Sequence, residues 1–408
     1  MKERATNSRE KTSTILSQML LTASDDIRAQ LPPTESMRRH IRKLKRGALP
    51  KEPSTAAEID LPEEYTKTGP NDGTPFLVYD NKDTPNRRML VFATDQGLRH
   101  LCRARQWFMD GTFKTCPRVF HQLYIIRVPL DQGAITVVYA FLPGKTTAIY
   151  EEYLRALVEV RTDRGYDLDP QTVLVDFEVA ISNAIQDVFG AQVVIRRCFY
   201  HLKQAIWRKI QELGLSVPYT TDAAFQKWAR MMGAVAFLPL TDVPDAIDFL
   251  RNECPQEAEE LLEYFDATYA TGTYRQIRQP AADPDAAPPP MRIRHVAPRY
   301  PPDVWNQCEA TIQQQARTNN WCEGWNNSFR MMVGHDHPSI WFAIQCLQQD
   351  AAIVGTTIAK SATGQPATKR RRLVDMQQRL RTMCEARATG ARPLDETLRG
   401  LAHNIRLQ

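Results

Sequence analysis

The run Thr172-Val-Leu-Val-Asp-Phe177 is apolar at consecutive positions until it reaches Asp176. A strand apolar on both alternating sets of side chains is covered on both faces, as central strands of parallel sheets are. The run therefore predicts a buried strand with a carboxylate at its C-terminal end, where open α/β sheets place their ligands. Around it the texture alternates. A helical pattern over Ala148 to Arg164 precedes it, and a helix over Val179 to Val188, a strand Gln192-Val-Val-Ile-Arg196 and a helix from Phe199 follow. This order implies parallel pairing with helices packed on the sheet.

Further upstream the pattern becomes strand-rich. Phe76-Leu-Val-Tyr79 and Met89-Leu-Val-Phe92 come first, then a helix over Thr94 to Arg105. Three longer strand candidates follow: Trp107-Phe-Met-Asp-Gly-Thr-Phe113, Gln122-Leu-Tyr-Ile-Ile-Arg-Val128 and Ala134-Ile-Thr-Val-Val-Tyr-Ala-Phe-Leu142. The short loops between them make these neighbours antiparallel. Three antiparallel strands followed by helix, strand, helix, strand and helix is the element order of an RNase H-like fold. The expected class is α/β, an RNase H-like mixed sheet with a helical insertion before the last catalytic helix.

The chain divides accordingly. Residues 1–70 read as a basic helical region and linker, and 71–213 as the first part of the core. Residues 214–316 read as a helical insertion, with eight prolines between Gln279 and Asp303 marking a stiff surface loop. Residues 317–350 read as the last core helices, and 351–408 as a basic tail with a weak helix. No run approaches the ~18 apolar residues of a membrane helix, and the N-terminus lacks the apolar centre of a signal peptide. The expectation is an intracellular, nuclear protein. The eight cysteines are scattered without a CxxC pair, so they read as reduced thiols and no Cys-pair zinc finger is evident.

Charge is uneven. Residues 1–50 carry eleven Lys and Arg against five acids, and residues 360–408 carry eleven against four, so the body between them is acidic. Within Met37-Arg-Arg-His-Ile-Arg-Lys-Leu-Lys-Arg46, apolar Met37, Ile41 and Leu44 fall at helical spacing, leaving Arg38, Arg39, Arg42 and Lys43 for a polar face. Lys369, Arg370, Arg371 and Arg372 form a second cluster. Basic ends suit a polyanion such as DNA; solvated helix faces and flexible tails are the plainer account.

Three acids carry the candidate chemistry. Asp110 sits inside an apolar, aromatic strand, where an ionised carboxylate is costly unless paired. Taken alone, an Asp-Gly pair reads first as a turn or a locally bonded strand end. If the strands of Asp110 and Asp176 are neighbours, the two carboxylates converge, and a hard divalent ion is the natural resolution of their repulsion. Glu323 lies in Thr318-Asn-Asn-Trp-Cys-Glu-Gly-Trp-Asn-Asn-Ser-Phe-Arg330. Helical spacing puts Trp321, Trp325, Phe329 and Met332 on one face and Asn320, Glu323, Asn327 and Arg330 on another. A solvent-exposed strip would explain the second face equally, but Gly324 and the Asn pairs make this a poor helix by propensity. Cys198-Phe-Tyr-His201 joins a strand to its helix, and His201 points away from that helix's apolar face. As half of a zinc site the pair would need two ligands that spacing does not supply. A polar role is expected instead, holding DNA phosphate or orienting Asp176.

Four pieces in order, Asp110-Gly-Thr-Phe113, Asp176-Phe-Glu178-Val-Ala180-Ile181, Cys198-Phe-Tyr-His201 and Thr318-Asn-Asn-Trp-Cys-Glu323-Gly-Trp, resemble the MULE (Mutator-like element) transposase domain family. That family is related to the hAT-type transposases, and the resemblance runs from about Asn71 to Gln345. It implies a DDE triad of Asp110, Asp176 and Glu323 holding Mg²⁺ or Mn²⁺ for two-metal cleavage and strand transfer on transposon DNA. Cys198 and His201 match the family's CxxH motif, and Asn319, Asn320, Asn327 and Arg330 are expected to contact DNA or support the site. Implied partners are transposon ends, target DNA and further copies of the chain. Many relatives carry a zinc finger ahead of this region, which this sequence does not display. The alternatives are a domesticated DNA- or chromatin-binding protein of the same fold, and an RNase H-like nuclease that cuts without joining.

Overall fold

The computed structural model describes the chain apart from residues 1, 8–9, 11, 48, 70–72, 83, 85–86, 163–164, 166, 278–291, 316–318, 365–370 and 408, and apart from the side chains of 5–7, 46, 161–162, 277, 292 and 371–374. Its centre is a seven-stranded sheet. The strands are β1 (Leu77–Asp80), β2 (Leu90–Phe92), β3 (Gln106–Thr112), β4 (Gln122–Leu130), β5 (Gly133–Leu142), β6 (Thr172–Val175) and β7 (Val194–Arg197), in the spatial order β1-β2-β5-β4-β3-β6-β7. The pairs β3–β4 and β4–β5 are antiparallel, and β3–β6 and β6–β7 are parallel. This is the RNase H-like mixed α/β arrangement anticipated from the element order.

Strand alternation divides the core in two. Met109, Val173 and Val175 point to one face, under the helices Thr147–Thr162 and Val179–Phe189. Phe108, Ile125, Tyr139 and Leu174 point to the other, where they meet Cys322, Trp325 and Phe329 of the helix Asn320–Val333 and the first half of the helix Ile340–Ala362. Gly334, with φ 76, ends the Asn320–Val333 helix in the left-handed region that glycine enters without steric cost.

Polar anchors orient that helix as well as apolar contact. Trp325 Nε1 donates to Asp350 Oδ2 at 2.8 Å, and the Tyr139 hydroxyl donates to the same oxygen at 2.6 Å. The guanidinium of Arg127 donates to the carbonyl of Trp321. With Trp325 held this way, Cys322, Phe329 and Val333, at i−3, i+4 and i+8, take the core side. Trp321, expected in the core, is instead 38% exposed.

A third core lies beside the sheet. It joins the inner side of the helix Phe199–Glu212 to the helices of the 214–316 insertion, with Trp228, Phe237, Phe265 and Trp305 buried. Two expectations need correction here. Part of the Pro-rich stretch read as surface loop is a strand, since β8 (Thr273–Ile277) pairs antiparallel with β9 (Arg292–Val296). The segment read as a tail from 351 is not one throughout. The helix Ile340–Ala362 crosses that boundary, and the helices Arg371–Ala388 and Leu394–Ala402 bury Leu380, Cys384, Leu398 and Leu401 against the insertion. The charges of that segment hid an apolar stripe at helical spacing. At the other end, Met37 and Ile41 of the helix Thr34–Gly47 are buried on Ile15 and Leu16, a small core of their own.

Removing the Asp350 carboxylate leaves the Tyr139 hydroxyl and the Trp325 indole N–H buried without an acceptor. Asp350→Ala is expected to cost about 2–4 kcal/mol of stability in urea unfolding, and a loss under about 0.5 kcal/mol would mean that apolar contact alone seats the helix.

Candidate active site

Register brings the first two acids together. In the parallel pair, Phe108 lies opposite Leu174. Asp110, two residues further on, returns to that same face under the Asn320–Val333 helix, and Asp176, just past the end of β6, comes near enough for its charge to act on Asp110. Asp110 is 7% exposed and still within β3, while Asp176 follows the last residue of β6 and lines an open cleft of about 360 Å³.

Asp110 is held on both oxygens. Its Oδ1 accepts from the Gly111 N–H at 3.0 Å and its Oδ2 from Asn326 Nδ2 at 2.9 Å. A side chain at Gly111 has no room, because a Cβ there would stand 2.4 Å from Gln122 Oε1. Burial, then the nearby Asp176 charge and more weakly Glu323, push the Asp110 carboxyl up to about 8 against those two hydrogen bonds. Burial likewise raises Glu323 to about 7, with Lys203 pulling the other way. Asp176 Oδ1 accepts from the Glu178 N–H at 3.1 Å. The buried guanidinium of Arg197 bonds the carbonyls of Asp176, at 2.5 Å, and of Glu178, at 2.9 Å.

Residues 106–205 match the MULE transposase domain. The matched stretch runs from β3 into the helix Phe199–Glu212, so it takes in Asp110, Asp176, Cys198 and His201 and ends well before Glu323. No curated protein shows a significant match to the chain. The matched domain points to a transposase-related role and, for transposases in general, to DNA and a divalent metal. Among the described residues no helix is long and apolar enough to cross a membrane.

The residues fit such a metal. Asp110, Asp176 and Glu323 offer oxygen, the donor that Mg²⁺ and Mn²⁺ prefer. Glu323 Oε1 is buried without a hydrogen-bond partner, and burial raises both the Asp110 and the Glu323 carboxyls, the first with the Asp176 charge added, a cost that a cation would relieve.

The remaining predicted residues divide. Asn319 is fully buried. Its Nδ2 donates to the Met109 carbonyl at 2.7 Å, bracing the strand beside Asp110, and its N–H donates to Cys198 Sγ at 3.0 Å. His201 lines the cleft with Asp176, Gln204 and Arg208, as its position on the helix implied. Asn320 and Asn327 are exposed, and Arg330 faces Asp336 at 3.6 Å. The residue that reaches Asp110 is Asn326, not Asn327, because the Trp325 anchor rotates the helix away from the reading based on Trp321. A readable signal existed: Asn319, Glu323 and Asn326 stand at i, i+4 and i+7, one polar stripe.

Glu323 is also placed differently from the expectation. Among the described residues its carboxylate groups with Cys198 and His201, with one potential ligand atom from each all within 4.8 Å of one another; Asp110 and Asp176 lie outside that group. Arg197 was not foreseen at the site, since only the pairing of Val175 with it puts it there, and Glu178, two residues beyond Asp176, lines the same cleft as Asp176. Of the basic segments, Arg38 and Arg42 pair with Glu35, Arg39 and Lys43 are exposed, Lys369 and Arg370 fall outside the described residues, and Arg371 and Arg372 begin a helix.

Because the folded state holds the Asp110 and Glu323 protons to higher pH than the unfolded chain does, metal-free stability falls as pH rises from about 4 to about 8. Asp110→Asn removes the larger part of that loss. Its amide also suits the site, since the unpartnered Asn326 Oδ1 can accept from it after a flip. The variant should melt at least about 2 °C above wild type near pH 8 and close to wild type near pH 4. The same difference at both values would locate the strain elsewhere.

Proposed function

We propose that the chain is a DDE-type transposase of the Mutator-like kind, which cleaves phosphodiester bonds in transposon DNA and transfers the strands in the nucleus. The observation that carries this reading is the pair of carboxylates on neighbouring strands, Asp110 inside β3 and Asp176 just past β6, the first buried and pushed to about 8, within the matched domain. A site that buries one carboxylate beside another suits a polyvalent cation and a phosphate substrate.

Asp110 and Asp176 would hold Mg²⁺ or Mn²⁺, with Glu323 completing a coordination sphere. Ions bound there supply activation of the attacking oxygen and charge stabilisation of the leaving oxygen. The chain's own residues do the positioning. The Gly111 N–H and Asn326 orient the Asp110 carboxylate, and Arg197 braces the turn that carries Asp176. Lys145, Arg208 and Arg299 line the cleft and would take the DNA phosphates, with Lys and Arg contacts making affinity salt-dependent. To join the pair Glu323 would have to leave Cys198 and His201, and its Oε1 has no hydrogen-bond partner to give up.

With Mn²⁺ and labelled duplex DNA, the purified protein is expected to cut and to join strands. Asp176→Ala should lower cleavage at least about a thousandfold, roughly 4 kcal/mol of barrier, while DNA affinity stays within about threefold. Cleavage without joining would make the chain a nuclease, and binding without cleavage in any metal would make it a DNA-binding descendant. Full activity in Asp176→Ala would remove that residue from the chemistry.

A further inference from the structure

We propose that Cys198, His201 and Glu323 form a second cation site, beside the aspartate pair, for a thiophilic divalent ion of the Zn²⁺ class. One potential ligand atom from each lies within 4.8 Å of the other two. A tetrahedral ion with bonds of about 2.0–2.3 Å needs its ligands roughly 3.3–3.8 Å apart, so closure asks for about 1 Å of movement.

Two helix ends supply the ligands and are already tied together. Cys198 caps the helix Phe199–Glu212, and His201, three residues on, projects on the same side. Glu323 comes from the first turn of the helix Asn320–Val333, whose preceding residue Asn319 donates its N–H to the Cys198 sulfur at 3.0 Å. Preformed ligand geometry of this kind keeps the ordering cost of binding low.

Vacancies at the ligands point the same way. His201 Nδ1 and Glu323 Oε1 are both buried without a hydrogen-bond partner, a costly state for an imidazole and a carboxylate side by side. Burial pushes the Cys198 thiol up to about 12, and the Asn319 N–H donating to its sulfur works the other way, a donor that remains in place when the sulfur binds an ion. Binding exchanges protons for the ion: the thiol, and the Glu323 carboxyl where it is protonated, each lose H⁺ to solvent as their bonds to the metal form, and no electrons change hands. A sulfur ligand disfavours Mg²⁺ and selects softer ions. Three protein ligands leave a fourth position for water or an anionic oxygen, on the side where His201 lines the cleft. An ion there also holds Glu323 on the Cys198 side, away from Asp110 and Asp176.

The test uses Co²⁺ on the reduced, full chain. With excess Mg²⁺ present to fill the aspartate pair, wild type should develop a sulfur-to-cobalt charge-transfer band in the near ultraviolet that saturates at one equivalent of Co²⁺ and that Zn²⁺ displaces. Cys198→Ser keeps an acceptor for the surrounding N–H groups and should lose the band. His201→Asn and Glu323→Gln should each weaken Co²⁺ binding at least about tenfold, and they carry the test if Cys198→Ser does not fold. Asp110→Asn should leave the band in place. A folded wild type without the band, a band that survives in Cys198→Ser, or undiminished binding in both other ligand variants overturns the site. None of these readouts involves DNA, and cleavage is scored separately on chelator-treated chain loaded with Mn²⁺, in which Glu323 is released; a Co²⁺ band together with no cleavage by that stripped protein would count against the transposase reading alone.

Discussion

Parallel pairing of β3 with β6 places Phe108 opposite Leu174, and two residues later Asp110, still in β3, and Asp176, just past β6, stand close enough for one charge to act on the other. Two carboxylates meeting in a partly dry place is the constraint that the surrounding structure serves. The Gly111 N–H and Asn326 amide hold Asp110, the bare Cα of Gly111 leaves room for Gln122, and Arg197 braces the turn of Asp176 from β7. None of these offsets burial and the Asp176 charge together, since Asp110 still stands at about 8. The imbalance is stored against the protein's stability and is available to a cation.

The Asn320–Val333 helix answers the same constraint from far away in sequence. It closes the acidic face of the sheet, and three independent anchors seat it there: Asn319 on the Met109 carbonyl, Trp325 on Asp350, and Arg127 on the Trp321 carbonyl. Because these are directional hydrogen bonds, they set the helix's rotation as well as its contact, and thereby decide that Asn326 faces Asp110 and Glu323 faces Cys198 and His201.

Between Asp176 and Glu323 the chain builds a unit with a core of its own. The inner side of the Phe199–Glu212 helix belongs to that core while its start, Cys198 and His201, belongs to the site, so one rigid helix joins the insertion to the chemistry. Tyr300 adds a second link, its hydroxyl donating to the Phe177 carbonyl at 2.7 Å, one residue beyond Asp176. The C-terminal helices complete the insertion's core with Leu380, Leu398 and Leu401, which explains why a segment so rich in arginine is nonetheless packed.

The sequence by itself determined the local features: the strand and helix order, the burial of β6 on both faces, the position of Asp176 at a strand's C-terminal end, and the direction of His201. Each follows from periodicity along one element, which the residues of that element carry. Only the tertiary structure decided what lies across from what. The closeness of Asp110 and Asp176 is a matter of inter-strand register, and the turn of the Glu323 helix, which exchanged Trp321 for Cys322 and Asn327 for Asn326, was set by a hydrogen bond to Asp350. The fate of Arg371–Ala402 depended on apolar surfaces of the insertion, distant from it in the chain. Such pairings are chosen by non-local contacts, and a helical pattern specifies a face without naming its partner.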